Sequence, residues 1–314
     1  MPQRIEIVQV GPSVASFNKA LDDAYLVHKL WLAPDRAAML AEVAPRVRAI
    51  ATTAGFGAKR DLIDALPKVE IVACFGVGVD AIDTAYCKQR GIPVTNTPDV
   101  LTEDVADTAL ALTLATLRRL PQGDRFIREG KWGKSNFPLA DTLGGKIMGI
   151  FGMGRIGQAT AKRAEACGMR VIYSGPRAKP DLPQPYLPSL RALAEACDVL
   201  MITSPGGAET AKQVNAEILQ ALGPKGYVVN VARGSIIDEP ALIAALQNGT
   251  IAGAGLDVFA DEPNVPEALW TMDNVVLQPH IGSATQQTRD AMGALTVRNL
   301  AAHFAGEPLL TPYV

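Results

Sequence analysis

One glycine motif and three ionisable residues in this chain can do chemistry. Gly152-Met153-Gly154-Arg155-Ile156-Gly157 places glycines at the spacing of a phosphate-cradling turn, while Arg233, Glu262 and His280 are a fixed cation, a carboxylate and an imidazole. A GxGxxG pattern alone also fits an ordinary tight turn. Here the apolar run Lys146–Phe151 leads into it and the helix-like segment Gln158–Ala166 follows. That strand, glycine turn and helix predict a dinucleotide site. Gly152 permits the turn, Gly154 lets backbone approach a pyrophosphate, and Gly157 lets the helix pack on the strand. The helix N-terminus adds unpaired N–H groups and partial positive charge.

Where NAD-binding units carry an acid after the second strand, this chain has Ser174-Gly175-Pro176-Arg177-Ala178-Lys179. An acid would repel a 2′-phosphate. Arg177 would attract one, with Ser174 a donor and Lys179 a helper. The expected cofactor is NADP(H), with NAD(H) kept as the alternative and a solvated basic loop as the bland reading.

Arg233, Glu262 and His280 each follow a different strand-like run: Tyr227–Ala232, Ala252–Phe259 and Asn274–Pro279. In an open α/β sheet, ligands bind beyond the carboxyl ends of the strands, so three residues distant in sequence can converge there. Together they suit reduction of a 2-oxo acid. Arg233 would hold the carboxylate in a bidentate fork and polarise the carbonyl. His280 would deliver a proton to the forming alkoxide, and Glu262 would favour its imidazolium and fix the ring. A cationic side chain then does the polarising, so no metal is expected. His28 and His303 lack a partner motif in the sequence and are read as structural.

The elements that must position these groups alternate along the chain. Strands are expected at Ile5–Val10, Tyr25–Lys29, Val47–Thr52, Ile71–Cys74 and Pro93–Thr95. A second series covers Lys146–Phe151, Val171–Tyr173, Val199–Thr203, Tyr227–Val231, Ala252–Leu256 and Val275–Leu277. Strands alternating with helices imply parallel sheets covered on both faces, and two series imply two domains. Thr102-Glu103-Asp104 begins a helix, and Val105–Leu117 is apolar nearly all round, so this helix is expected between domains or between subunits. Ala284–Ala305 is a second long helix that could return to the first domain.

Composition narrows the class. The 314 residues, 48% hydrophobic and 20% charged, describe a soluble globular chain of two-domain size, and a net charge near −2 argues for neither nucleic acid nor a membrane surface. The start of the chain lacks the apolar core of a signal peptide. Cys74, Cys87, Cys167 and Cys197 show no metal-ligand spacing, which suits a reducing cytoplasm.

The sequence resembles the D-isomer-specific 2-hydroxyacid dehydrogenases. The resemblance rests on Gly152–Gly157, Asn230-Val231-Ala232-Arg233-Gly234, Asp257-Val258-Phe259 with Glu262-Pro263, and Pro279-His280-Ile281-Gly282-Ser283-Ala284-Thr285, and is weakest over the first seventy residues. It implies two Rossmann-like α/β domains: a discontinuous, flavodoxin-like substrate domain (1–98 and 285–314) and a NAD(P)-binding domain (99–284). It implies Arg233, Glu262 and His280 as catalytic residues, with Val77 and Gly78 of Phe75-Gly76-Val77-Gly78 facing the substrate beside Arg233 and His280. Asp257 would hold the nicotinamide carboxamide and Thr102 and Pro205 would line the cofactor. Arg155, Ile156, Val231, Ala232 and Gly282 would complete its site. A homodimer joined through the cofactor domains is also implied.

Phe137-Pro138-Leu139, with Ser174 and Arg177, looks most like the NADPH-using glyoxylate and hydroxypyruvate reductases. Family members often carry His-x-Pro-Leu-Thr after the fourth strand of the cofactor domain. This chain has Thr203-Ser204-Pro205-Gly206-Gly207-Ala208, keeping the proline without the bulk after it. Two alternatives remain: a nucleotide-sensing, co-repressor-like binding protein on the same fold, and an NAD-linked dehydrogenase for another 2-hydroxy acid.

Overall fold

The computed structural model describes residues 4–314; the first three residues of the expected substrate domain lie outside the described part. The chain divides into two compact units. One takes the chain up to Leu101 and again Thr285–Val314, and the other is Thr102–Ala284.

In the first unit, β1 (Glu6–Gln9), β2 (Leu26–Lys29), β3 (Val47–Thr53), β4 (Ile71–Phe75) and β5 (Val94–Thr95) form a parallel sheet in the order β2-β1-β3-β4-β5. This is the flavodoxin-like order, as expected. The inner strands read as apolar runs because helices cover both faces. One face packs on a core that includes Val8, Ile50, Ile63, Leu66 and Val72. On the other, α1 (Ala15–Ala24) lies against α11 (Gln286–Ala305), which also packs on β4. Gly293 makes that approach possible: a Cβ there would meet the Phe17 Cβ at 3.1 Å. The long C-terminal helix thus returns to the first sheet. It starts at Gln286 rather than Ala284, because Thr285 caps it by accepting the Thr288 N–H.

The second unit holds β6 (Ile147–Phe151), β7 (Arg170–Ser174), β8 (Val199–Ile202), β9 (Tyr227–Asn230), β10 (Gly253–Leu256) and β11 (Val275–Leu277), all parallel, in the order β11-β10-β9-β8-β6-β7. In both sheets each strand boundary falls on the expected residue or its neighbour. Where a dinucleotide-binding sheet places a third strand beside the second, this chain makes a single parallel bridge, Tyr173 to Tyr186. The cause is local: Pro180, Pro183, Pro185 and Pro188 deny that segment the N–H groups of a ladder.

Helix α5 (Thr102–Leu117) is where the sequence placed it. Its buried apolar residues, among them Val105, Ala109, Leu112 and Leu117, pack inside its own unit, where the helix lies against α7 (Arg155–Ala166), β9 and β10. At Gly255 a Cβ would meet the Thr116 Oγ1 at 2.6 Å, so the helix sits almost on the strand. Arg163 of α7 ties the two helices by ion pairs to Asp107 (2.6 Å) and Glu103 (2.8 Å). One side of α5 is therefore core for this unit, while Leu110 and Leu114 stay half-buried and Ala111 is exposed on the other side.

Candidate active site

One register line organises the second unit. Ser174, Phe151, Ile202, Asn230, Leu256 and Leu277 lie side by side across the six strands. Three residues past that line stand Arg177 after β7, Gly154 after β6, Pro205 after β8, Arg233 after β9 and His280 after β11. Strands are about 4.8 Å apart, so residues scattered over a hundred positions come to one edge of the sheet.

The glycine turn follows β6 at the point where strand order reverses, between β6 and β8. Gly152 has φ +101°, and a Cβ there would lie 2.4 Å from the Ser204 nitrogen. Only glycine fits both the conformation and the space. A Cβ on Gly157 would lie 2.5 Å from the Gly152 carbonyl oxygen, so the helix starts directly on the turn. Thr203 secures it by donating from Oγ1 to the Gly152 carbonyl (2.8 Å). Thr203 escaped the sequence reading; a hydroxyl at the end of the strand facing the glycine turn was its signal. Gly154 behaves differently: nothing lies within 4 Å of a Cβ built on it, and no side chain caps α7. That open helix N-terminus fits a phosphate.

Beside it lies a cavity of about 340 Å³ lined by Gly152, Gly154, Tyr173, Arg177, Lys179 and Pro205 among others. These residues fit the phosphate and ribose end of a dinucleotide. Ser174 does not line the cavity. It is buried at 2% exposure, and its carbonyl accepts the Gly152 N–H (2.9 Å), so it holds the turn from below. Arg155 and Ile156 form the first turn of α7, and Thr102 opens α5.

At the other end of the same edge, His280 Nδ1 is 2.7 Å from Glu262 Oε2. The second Glu262 oxygen accepts the Phe259 N–H (3.1 Å), which locks the carboxylate on its own turn. Burial alone would push the Glu262 carboxyl up. The hydrogen bond and charge of His280, the Phe259 N–H and the Arg233 charge outweigh it and hold the group below the usual glutamate range. His280 sits at φ +55°, a left-handed conformation uncommon for a side chain of this size and typical of places where surroundings dictate backbone shape.

Asp257 is what dictates it. The His280 N–H donates to the Asp257 carbonyl (2.8 Å), and the Ile281 and Gly282 N–H groups donate to the two carboxylate oxygens (2.7 and 2.9 Å). Burial pushes the Asp257 carboxyl up, against the pull of those two N–H groups. The structure thus shows Asp257 pinning the turn that carries His280.

The Arg233 turn is built by a residue the sequence reading quoted but gave no role. Buried Asn230 accepts the Ala232 N–H (3.0 Å) and donates to the Arg233 carbonyl (2.9 Å). Arg233 itself donates to the Ala232 carbonyl (2.7 Å), and Val231 follows the end of β9, its N–H donating to the Ile202 carbonyl (3.4 Å). Gly234 presses this turn onto the next: a Cβ there would lie 1.9 Å from the Phe259 carbonyl carbon. In the first unit, the Gly76–Gly78 turn follows β4. Its shape is set by the Asn96 amide donating to the Val77 carbonyl (2.8 Å) and the Gly76 N–H donating to Thr97 Oγ1 (3.1 Å). Val77 and Gly78 are half-buried.

The other two histidines are structural, as expected, with carboxylate partners that no sequence motif announces. His28 Nε2 is 2.8 Å from Glu6 Oε2, which Arg46 also bonds (3.1 Å), and His303 Nε2 is 3.3 Å from Glu70 Oε2, which Arg48 also bonds (2.9 Å). Each is a structural triad: the first ties β2 to β1, and the second ties α11 to Glu70, just before β4.

Comparison with known proteins agrees with this geometry. Residues 110–282 match the family model described as D-isomer specific 2-hydroxyacid dehydrogenase, NAD binding domain. The chain is similar to hydroxyphenylpyruvate reductase of Plectranthus scutellarioides, at 45% identity over 99% of this chain and all of that protein. It is equally similar to glyoxylate/hydroxypyruvate reductase A of Arabidopsis thaliana, at 45% over the same shares. Among solved structures, the NADPH-dependent glyoxylate/hydroxypyruvate reductase of Sinorhizobium meliloti, in complex with NADP and malonate, superposes with a TM-score of 0.92. It is 46% identical and matches over 99% of this chain and 97% of that one. Fold, site and relatives converge: the chain belongs to the D-isomer-specific 2-hydroxyacid dehydrogenases, NAD(P)-linked oxidoreductases, in the glyoxylate/hydroxypyruvate reductase-like branch.

Proposed function

We propose that this chain is an NADPH-dependent reductase of small 2-oxo acids of the glyoxylate or hydroxypyruvate type, forming the D-2-hydroxy acid. The observation that carries the reading is the shared sheet edge, where the glycine turn, Arg177, Arg233 and His280 each follow a strand within three residues of one register line. The unit Thr102–Ala284 serves as cofactor domain and the other as substrate domain. Bound nicotinamide supplies the hydride. Arg233 holds the substrate carboxylate and withdraws electron density from the carbonyl. His280, its Nδ1 turned to Glu262, presents Nε2 to the carbonyl oxygen and gives it a proton. The Glu262 carboxylate stabilises the charged ring before transfer and, through the Phe259 N–H, keeps it from rotating. The Val77–Gly78 turn is a second candidate for the substrate carboxylate.

Preference for NADPH is supported by two cations without a partner. Among the described residues neither Arg177 nor Lys179 has an ion pair, and both line the cavity beside Gly154. The Sinorhizobium meliloti reductase is named as NADPH-dependent. A homodimer is supported by apolar side chains exposed on one stretch of the cofactor unit: Leu120 (55%), Ile127 (58%), Trp132 (77%) and Leu139 (99%). The four free cysteines fit a reducing, cytoplasmic setting.

The test is cofactor oxidation with glyoxylate, hydroxypyruvate, pyruvate and phenylpyruvate, using NADPH and NADH in parallel. Turnover with glyoxylate or hydroxypyruvate and a clear NADPH preference is expected. Binding of NADPH without turnover of any 2-oxo acid would favour the nucleotide-sensing reading instead.

A further inference from the structure

The loop that carries Arg177 and Lys179 is held by two tyrosine hydroxyls. The Lys179 N–H donates to Tyr173 Oη (2.7 Å), and Tyr186 Oη donates to the Gly175 carbonyl (3.0 Å). The rings pack in a tilted pair, centroids 5.4 Å apart and planes at 57°, and the Tyr173 hydroxyl reaches its loop from a side chain that is almost fully buried. Backbone bonds lock the pair: the Tyr173 N–H donates to the Pro185 carbonyl (3.0 Å) and the Leu187 N–H to the Tyr173 carbonyl (2.8 Å). Pro176, Pro180, Pro183, Pro185 and Pro188 stiffen the segment between and around the clamped points. The segment that fails to become a third strand is thus a stiff arm, and the one strand-like contact it makes brings Tyr186 to the loop.

We propose that Tyr173 and Tyr186 are positioning residues for cofactor selection: their hydroxyls preset the Gly175–Lys179 loop so that Arg177 and Lys179 meet a 2′-phosphate without an ordering cost. The inference rests on the reading of that loop as the 2′-phosphate site. A loose loop would have to be ordered on binding, and that cost would fall only on the ligand whose phosphate the loop must grip. Neither tyrosine hydroxyl itself needs to touch the phosphate. Each acts on loop backbone.

The experiment is calorimetric binding of adenosine 2′,5′-bisphosphate and adenosine 5′-monophosphate to the full chain. Wild type is compared with Tyr186→Phe, Tyr173→Phe, Arg177→Ala and the Tyr186→Phe/Arg177→Ala pair. Each phenylalanine variant is expected to weaken the bisphosphate by about threefold to tenfold, the worth of one neutral hydrogen bond, and to leave the monophosphate within about twofold. In the Arg177→Ala background, Tyr186→Phe should add less than about twofold, because the grip is already lost. Bisphosphate binding unchanged in both phenylalanine variants but lost in Arg177→Ala would overturn the positioning role and leave the 2′-phosphate reading standing. Equal loss of both ligands would make the tyrosines general supports of the fold and also overturn it. A wild type that does not distinguish the two ligands would overturn the underlying reading. Two separate variants keep the test decisive if one of them fails to fold.

Discussion

At the scale of single residues, the account turns on His280 and what restrains it. Glu262 fixes one ring nitrogen, Asp257 fixes the backbone on both sides, and the left-handed φ of His280 is the trace of that restraint. Glu262→Gln keeps the shape but removes the carboxylate that holds His280 Nδ1. The expected outcome is a fall in kcat for 2-oxo acid reduction of about tenfold or more, since general acid catalysis is worth about 10²–10⁴-fold. An unchanged kcat would separate Glu262 from proton delivery. At the other end of the edge, Arg177→Ala should raise KM for NADPH about tenfold and leave KM for NADH unchanged, because a charge-assisted contact is worth about 1.5–3 kcal/mol. Equal changes for both cofactors would contradict the role.

At the scale of elements, the site depends on turns that touch. Gly234 lets the turn after β9 press against the turn after β10. A methyl group there would overlap the Phe259 backbone, so Gly234→Ala should separate Arg233 from the Glu262–His280 pair. The expected outcome is a large loss of kcat/KM with little change in NADPH binding, measured by fluorescence titration against steady-state rates.

The element scale also shows what the sequence could reveal. Strands were legible to within a residue because their apolar runs are short and bounded, some of them by Gly or Asn, as at Phe151-Gly152 and Asn230. The three chemical residues were legible because each follows such a run. Three things were not. The surroundings of α5 depend on small residues across the packing surface, Gly255 above all, and periodicity cannot say which neighbour an apolar helix face meets. Ser174 has the type and place of a ligand donor, yet it is buried and outside the cavity lining, and residue type does not report which side of a strand end is covered. The partners of His28 and His303 come from residues 22 and 233 positions away, Glu6 and Glu70, which no local pattern reports.

At the scale of the whole molecule, stability and chemistry use the same pairing of imidazole, carboxylate and guanidinium in different settings. For Glu6, burial alone would raise the carboxyl, but bonds from His28 and Arg46 bring it below its usual value of 4.5. For Glu70, the Arg48 bond is the leading cause of the same direction. A lowered folded-state value means stability that is present above about pH 4.5 and lost as pH falls through the lowered values. Melting temperature should therefore drop on acidification below about pH 4.5, and Glu6→Gln should flatten that drop. An identical acid profile in the variant would show that the triad does not couple folding to protons.

The most direct test of the central claim compares His280→Ala with wild type in two measurements on the same preparation, kcat/KM for NADPH-dependent glyoxylate reduction and Kd for NADPH. The account predicts a loss of kcat/KM of about 10²–10⁴-fold, the worth of a general acid, with Kd unchanged. Turnover retained by the variant, or lost only in step with NADPH binding, would contradict it.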